Sequence, residues 1–285
     1  LLTVYQLAMK DTSTTKIGYQ APVYDQQEEY DPSLLRLNSM KKLELYCDSL
    51  FAEKSYRDTK LKFEEEYPSL VSAAISKRFY HGYSVYGFND NFVATLFSSM
   101  ISVQGLSAIV IPEDIIKFPY AACSQQSILV MDILRKKGFK TRKVGFQGKK
   151  YGHFCFEVYY QGSWHFFDPD MEPDAAVLAA YNRPGIEFLA RNPGVLETAY
   201  RKYTKDMVLD IFPNYHLGIA NAALAPKASL FHRVTGFLSY TMWFFFLMLF
   251  VWARRKLKNA RAAVGKQPAK IAVMDNVAYP SRFAL

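Results

Sequence analysis

The spacing of apolar residues in the first third of the chain predicts α-helices. Residues 25–80 are densely charged, and apolar positions such as Leu43 recur at helical intervals. Pro32 marks the start of one helix, and Pro68 is expected to interrupt another, because proline lacks the N–H that a helix interior uses. We therefore predict two or three helices here, with Cys47 as a small buried residue in the first.

Two further helices are predicted in the middle of the chain. Residues 91–110 have a helical pattern, and a second pattern begins at Cys123, where apolar residues again lie four positions apart. Basic residues follow, and Gly138 supplies a typical stop signal. The second helix should therefore run from Cys123 to about Lys137, with a cysteine as its first residue.

Beyond this helix the period of the pattern changes to that of β-strands. Residues 140–146 are predicted to form one strand. Residues 153–170 are predicted to form two strands joined at Gln161 and Gly162, with Pro169 ending the second. Antiparallel strands beside helices indicate an α+β fold.

The predicted hairpin brings polar residues to one of its faces. A two-residue turn at Gln161 and Gly162 places Cys155 opposite Asp168, and it makes His153 and Asp168 diagonal neighbours. Backbones in such diagonal positions lie about 7–8 Å apart, within reach of a hydrogen bond between an imidazole and a carboxylate. The opposite face of the hairpin is mostly aromatic and aliphatic, so we expect it to face the core.

The Cys123 thiol, at the start of a helix and beside the pair of His153 and Asp168, is in a position that favours a nucleophile. A helix N-terminus and an adjacent imidazolium lower the pKa of a cysteine from about 8.5 to roughly 3.5–7.5. A carboxylate behind the imidazole fixes its tautomer and supports its charge. Each of Cys123, His153 and Asp168 taken alone is more simply a structural residue, but the combination favours a catalytic triad.

Other side chains near these positions are assigned structural roles. Cys155 is more simply a space-filling neighbour than a resolving thiol or disulfide partner for Cys123. Gln125 and Gln126 are expected on the exposed surface of their helix.

The sequence does not favour a metal site or a bound cofactor. His165 lies on the core face of the hairpin by parity, so it cannot join His153 and Asp168 around one ion. The chain also has no nucleotide-binding glycine loop. We therefore expect no metal and no cofactor.

The segments "CSQQSILVMDILRKKGFKTRKVGF" and "GHFCFEVYYQGSWHFFDPD" resemble the core of the transglutaminase-like superfamily, which is related to papain. The resemblance covers about residues 91–172. It implies a core in which the helix that carries the cysteine packs on an antiparallel sheet. It also implies Cys123 as nucleophile, His153 as general base and acid, and Asp168 as the residue that orients the histidine.

Residues Val234 to Ala253 form an uncharged stretch of a length that crosses a bilayer as a helix. Trp252 lies where an interfacial aromatic residue is expected, and the basic cluster that begins at Arg254 follows it. The positive-inside rule then places the tail in the cytoplasm and the main body outside, which we interpret as a bacterial inner (cytoplasmic) membrane with a periplasmic domain.

The net charge of +9 does not indicate nucleic acid as a partner. Eight of the 35 Lys and Arg residues, but one of the 26 Asp and Glu residues, lie in the segment 254–285. The body is therefore nearly neutral, and it lacks the basic surface that nucleic-acid binding requires.

These patterns together define six expected regions along the chain. The first begins with an apolar run and not with Met, so we expect a signal peptide or an earlier span upstream. The regions are an apolar and linker segment (1–24), a helical region (25–90), the transglutaminase-like core with a helical extension (91–205), a linker (206–233), a transmembrane helix (234–253) and a basic cytoplasmic tail (254–285).

Two functions remain open from the sequence. The first is a membrane-anchored cysteine acyltransferase or amide hydrolase that acts on a protein or peptide through a thioester on Cys123. The alternative is a catalytically idle transglutaminase-like domain that serves as a binding or scaffold subunit of a membrane complex.

Overall fold

The computed structural model describes residues 3–4, 8, 21–25, 28–100 and 106–264. The chain divides into two compact units, Leu1–Tyr240 and Thr241–Leu285. The predicted segment 1–24 and the last part of the predicted tail lie mostly outside the described residues.

Helices and one antiparallel sheet make up the described part of the chain, as the α+β prediction expected. The helices are α1 (Met40–Arg57), α2 (Phe63–Arg78), α3 (Phe88–Met100), α4 (Pro112–Ile115), α5 (Cys123–Lys136), α6 (Ala175–Ala180), α7 (Ile186–Arg191), α8 (Pro193–Ala199), α9 (Lys205–Ile211) and α10 (Pro226–Val264), after a short 3₁₀ turn at Pro32–Arg36. The strands are β1 (Lys140–Gln147), β2 (Gly152–Tyr160), β3 (Ser163–Phe167) and β4 (Tyr215–Leu217), in the order β3-β2-β1-β4.

The predicted hairpin is confirmed, with the expected register from Phe156 opposite Phe167 to the turn, but the ladder ends before the expected pair of Cys155 and Asp168. Tyr160 pairs with Ser163, so the turn has two residues. Gln161 and Gly162 both have positive φ, at 48° and 81°, as a tight turn that follows the twist of its strands requires. This register sets which side chains of β2 and β3 share a face.

The sheet is the middle layer of the body, with an apolar cluster on each side. One face contributes Phe156, Val158 and Phe167 to a cluster shared with α1, α2 and α5. The other face contributes Cys155 and Phe166 to a cluster shared with α6 to α9. Both faces of β2 are therefore buried, including the one that carries the polar residues.

Three predictions about local structure were wrong. Pro68 lies inside α2, and the helix continues on both sides of it. Residues 106–110 are not helical, and Ala108 instead forms a bridge with Val85. The expected linker 206–233 contains most of α9 and also β4, which pairs with β1. A three-residue strand has too short a pattern to be recognised from sequence.

Helix α5 has the boundaries that its sequence predicted. Gly138 follows it with φ of 87°, a left-handed conformation that glycine adopts without a steric penalty. Arg135 and Lys136 lie in its last turn, where they complement the helix dipole. At the other end, Cys123 is the first helical residue.

The expectation that Gln125 and Gln126 lie on the helix surface was wrong, because α5 is covered on nearly all sides and both side chains are buried. Gln125 Oε1 accepts hydrogen bonds from the N–H groups of Ala122 (3.1 Å) and Ser84 (3.0 Å). Its Nε2 donates to the carbonyls of Ser84 (2.9 Å) and Ile109 (2.8 Å). This side chain ties the start of α5, and hence Cys123, to two neighbouring segments.

Helix α10 is the one helix in the described ranges that is long and apolar enough to cross a membrane, with a mean hydropathy of 1.8 over its most apolar window. It begins earlier than the expected span. Within the first unit, Ser239 is buried, accepts a hydrogen bond from the N–H of Val93 (3.1 Å) and donates one to Asn91 Oδ1 (2.9 Å). The large apolar side chains of residues 243–252 are exposed.

We expect Gln125→Leu to destabilise the body, because it leaves the N–H groups of Ser84 and Ala122 and the carbonyl of Ile109 buried without a partner, whereas the carbonyl of Ser84 keeps the N–H of Ile109. Each unsatisfied group costs about 1–3 kcal/mol, and partial relaxation suggests a total of about 2–4 kcal/mol. The melting temperature should fall by roughly 5–15 °C, measured by near-ultraviolet circular dichroism in detergent. Gln147→Leu, at an exposed position of β1, is the matched control and should change it little.

Candidate functional site

The structure brings together the three residues that the sequence predicted as a site. Cys123 begins α5, His153 lies near the start of β2, and Asp168 follows the last residue of β3. All three are buried, with 8%, 8% and 4% of their surfaces exposed. The site therefore lies where the N-terminus of the central helix meets the sheet.

His153 lies between the thiol and the carboxylate. Its Nε2 is 2.8 Å from Asp168 Oδ2. A ring nitrogen of His153 also lies within 4.8 Å of Cys123 Sγ. Cys123 Sγ, a ring nitrogen of His153 and a carboxylate oxygen of Asp170 all lie within 4.8 Å of one another.

Asp168 is held as a carboxylate by donors on several elements. Its Oδ2 accepts a second hydrogen bond from the hydroxyl of Tyr200 at 2.8 Å, and its Oδ1 accepts the N–H groups of Asp170 (3.2 Å) and Met171 (3.1 Å). Burial by itself raises the pKa of Asp168, but the charge of His153 and these hydrogen bonds outweigh burial and lower it.

The electrostatic surroundings favour the charged form of His153. Burial lowers its pKa, but the attraction of the Asp168 carboxylate and the hydrogen bond to it outweigh burial and raise the pKa well above its usual value. Phe146 stacks near the imidazole with ring centroids 6.0 Å apart, and Phe212 meets it edge-on at the same distance. These rings restrict the orientation of the imidazole.

Burial disfavours the thiolate form of the other two cysteines. Burial raises the pKa of Cys155 well above its usual value and that of Cys47 to about 12. Cys47 belongs to the apolar cluster shared with α1, α2 and α5, as the sequence predicted. Cys155 lies beside His153 and fills space in the other cluster.

Four residues near the site were missed by the sequence analysis. Asp170 accepts hydrogen bonds from His81 Nδ1 at 2.9 Å and Gln126 Nε2 at 2.9 Å. Tyr200 contacts Asp168 as described above. Asp170 is recognisable as the second carboxylate of the Asp-Pro-Asp run, but the other three are distant in sequence from their partners and carry no local signal.

The donor atoms suit proton transfer better than metal binding. Two overlapping sets lie close enough to surround an ion, Cys123, His153 and Asp170 in one and His153, Cys155 and Asp168 in the other. Both sets include His153, and a metal binds the neutral imidazole of a histidine. Asp168 instead favours the protonated, cationic form of His153.

His165 has the structural role that its parity predicted. It is buried on the opposite face of the hairpin, where Nδ1 is 2.8 Å from the carbonyl of Arg183. It therefore does not belong to either of the two donor sets.

A cavity of about 770 Å³ lies behind the site. Asp168, Phe167, Ser76 and Arg183 are among the residues that line it, whereas Cys123 and His153 do not. On the side of the thiol, His81 and Tyr83 are substantially exposed.

Comparisons of the chain with models of protein families, with curated proteins and with solved structures give no match. The resemblance to the transglutaminase-like superfamily therefore stays a prediction that rests on the quoted segments.

The ion pair predicts how stability depends on pH. The pKa of His153 in the folded protein is raised above 6.5. Its contribution to the free energy of unfolding is therefore complete below about pH 6.5, and it is lost as the pH rises through the pKa of the folded state. The pKa of Asp168 in the folded protein is lowered below 3.8. Its contribution to the free energy of unfolding is therefore complete above about pH 3.8, and it is lost as the pH falls through the pKa of the folded state. We expect Asp168→Asn to lower the melting temperature most between about pH 4 and 6.5.

Asp206→Asn, at an exposed position of α9, is the matched control for this pH series. It should change the melting temperature little at every pH. If Asp168→Asn lowers the melting temperature by the same amount from about pH 3 to pH 9, His153 and Asp168 are not an ion pair.

Proposed function

We propose that the chain is a membrane-anchored cysteine acyltransferase or amide hydrolase of the transglutaminase-like type. The observation that carries this proposal is the buried His153 imidazole, hydrogen-bonded to Asp168 through Nε2 at 2.8 Å, with a ring nitrogen within 4.8 Å of Cys123 Sγ. This is the arrangement in which an imidazole activates a thiol while a carboxylate supports the imidazolium.

The proposed reaction has two steps. In the first, Cys123 Sγ attacks an amide carbonyl, the C–N bond breaks, and the leaving amine takes a proton from the His153 imidazolium. In the second, water or another amine attacks the thioester, gives its proton to His153 and releases Cys123. The same residues serve both acceptors, so the proposal covers hydrolysis and transfer.

The start of α5 supports the charge that develops in these steps. Cys123 is the first residue of a 14-residue helix, and Ala122 before it has no side chain that could cap the helix. N–H groups in a first helical turn have no partner within the helix, and they carry part of the helix dipole. The N–H of Cys123 is therefore the proposed donor to the oxyanion.

Alkylation separates this proposal from an idle scaffold domain. At about pH 6, iodoacetamide should modify Cys123 at least tenfold faster than Cys47 and Cys155, because burial keeps those two thiols protonated. His153→Gln should remove most of this advantage. The rate at each cysteine is measured by peptide mass spectrometry on the full chain in detergent.

His216→Gln, at an exposed position of β4, is the control for the loss of a histidine. It should leave the alkylation rate of Cys123 unchanged. If Cys123 reacts no faster than the other two thiols, or is indifferent to His153, the scaffold function replaces the enzymatic one.

We also propose that α10 anchors the protein in the inner membrane, with the body outside and the basic tail in the cytoplasm. The exposed apolar side chains of residues 243–252 and the cluster of Arg254, Arg255 and Lys256 support this orientation. Trypsin should cleave the basic cluster in inverted membrane vesicles and not in right-side-out vesicles. Cleavage of the cluster in right-side-out vesicles alone would reverse the orientation.

A further inference from the structure

A second pair of a histidine and a carboxylate lies beside the proposed nucleophile. His81 Nδ1 is 2.9 Å from Asp170 Oδ1 and 3.1 Å from Oδ2, so the ring faces both oxygens. Asp170 is 7% exposed, whereas half of the His81 side chain is exposed. One member of the pair is therefore buried with the site, and the other reaches solvent.

The position of Asp170 is fixed by the residues of the site itself. Its own N–H donates to Asp168 Oδ1 at 3.2 Å, which shapes the turn after β3. Its Oδ1 accepts from Gln126 Nε2 at 2.9 Å, and Gln126 lies three residues after Cys123 on α5. Side chains three residues apart share a helix face, so Asp170 is held on the face that carries the thiol.

A carboxylate in this position opposes the reaction that the site is proposed to perform. A carboxylate oxygen of Asp170 lies within 4.8 Å of Cys123 Sγ. Like charges at this distance disfavour each other, so an uncompensated Asp170 would oppose formation of the Cys123 thiolate. The His153 imidazolium is shared with Asp168, so a second cation in contact with Asp170 would further offset this charge.

We propose that His81 is a positioning residue that neutralises Asp170 and thereby keeps Cys123 reactive. The inference rests on the proposed function, because it concerns the same nucleophile. His81 contacts Asp170 and not the thiol, so it acts on Cys123 through the charge of Asp170.

Other charged and titratable groups around the pair are consistent with this role. The hydrogen bond to Asp170 raises the pKa of His81 more than burial lowers it, and Glu28 raises it further while His153 opposes this. Glu28 Oε1 also accepts the backbone N–H of His81 at 3.1 Å. The phenols that face Asp170, Tyr83 and Tyr203, have raised pKa values, chiefly through burial, and add no charge near neutral pH.

The test is a double-mutant cycle on the alkylation rate of Cys123 in the full chain at about pH 6. His81→Gln keeps a polar side chain but not the charge, and it should slow alkylation by about tenfold. Asp170→Asn should react at least as fast as the unmodified chain. The double variant should match Asp170→Asn, because His81 has no charge left to offset.

Three results would overturn the proposal while leaving the proposed function intact. They are an unchanged rate in His81→Gln, slowing by His81→Gln that persists in the Asp170→Asn background, and slow alkylation in Asp170→Asn itself. Circular dichroism of each variant shows that the compared chains are folded, and His216→Gln again controls for the loss of a histidine. If Cys123 of the unmodified chain is no more reactive than Cys47 and Cys155, the proposed function fails first.

Discussion

The buried pair of His153 and Asp168, in which the carboxylate favours the charged imidazole, is the interaction on which the rest of the site depends. Transfer of two ions out of water costs several kcal/mol each, and their mutual attraction offsets this only when further hydrogen bonds satisfy them. The body supplies such bonds from the turn after β3 and from Tyr200, which lies beyond α8 in the chain. The helices beyond the sheet are therefore part of the electrostatic environment of the pair and not only a cover.

The layered architecture explains how the pair of His153 and Asp168 can be buried and still lie close to the Cys123 thiol at the edge of the core. The sheet is covered on both faces, so the polar face of the hairpin is shielded from water by α6 to α9. Helix α5 packs against the other face, and its N-terminus lies near the imidazole of His153. Gln125 fixes that end by four hydrogen bonds to backbone groups, which holds Cys123 in place.

Local patterns were sufficient to predict the parts of the site that are close in sequence. The turn at Gln161 and Gly162 set the register of β2 and β3, and the register placed His153 near Asp168. The start of α5 followed from helical spacing and from Gly138 at the other end. These elements depend on interactions within a few residues or across a single turn.

The remaining features depend on tertiary contacts, which sequence patterns do not encode. Gln125 and Gln126 were expected in solvent because a polar side chain on a helix is usually exposed, but α5 is enclosed by other elements. The contacts of His81 with Asp170 and of Tyr200 with Asp168 join distant segments of the chain. Strand β4 needs β1 beside it to form at all.

The protonation state of His153 tests the central claim most directly. The chain has five histidines, so ¹⁵N-labelled imidazoles can be assigned by comparison with His153→Gln. The account predicts that the nitrogen shifts of His153 remain those of the cation well above pH 6.5, and that Asp168→Asn lowers this titration. A His153 that is already neutral near pH 6.5, or that titrates identically in Asp168→Asn, would contradict it.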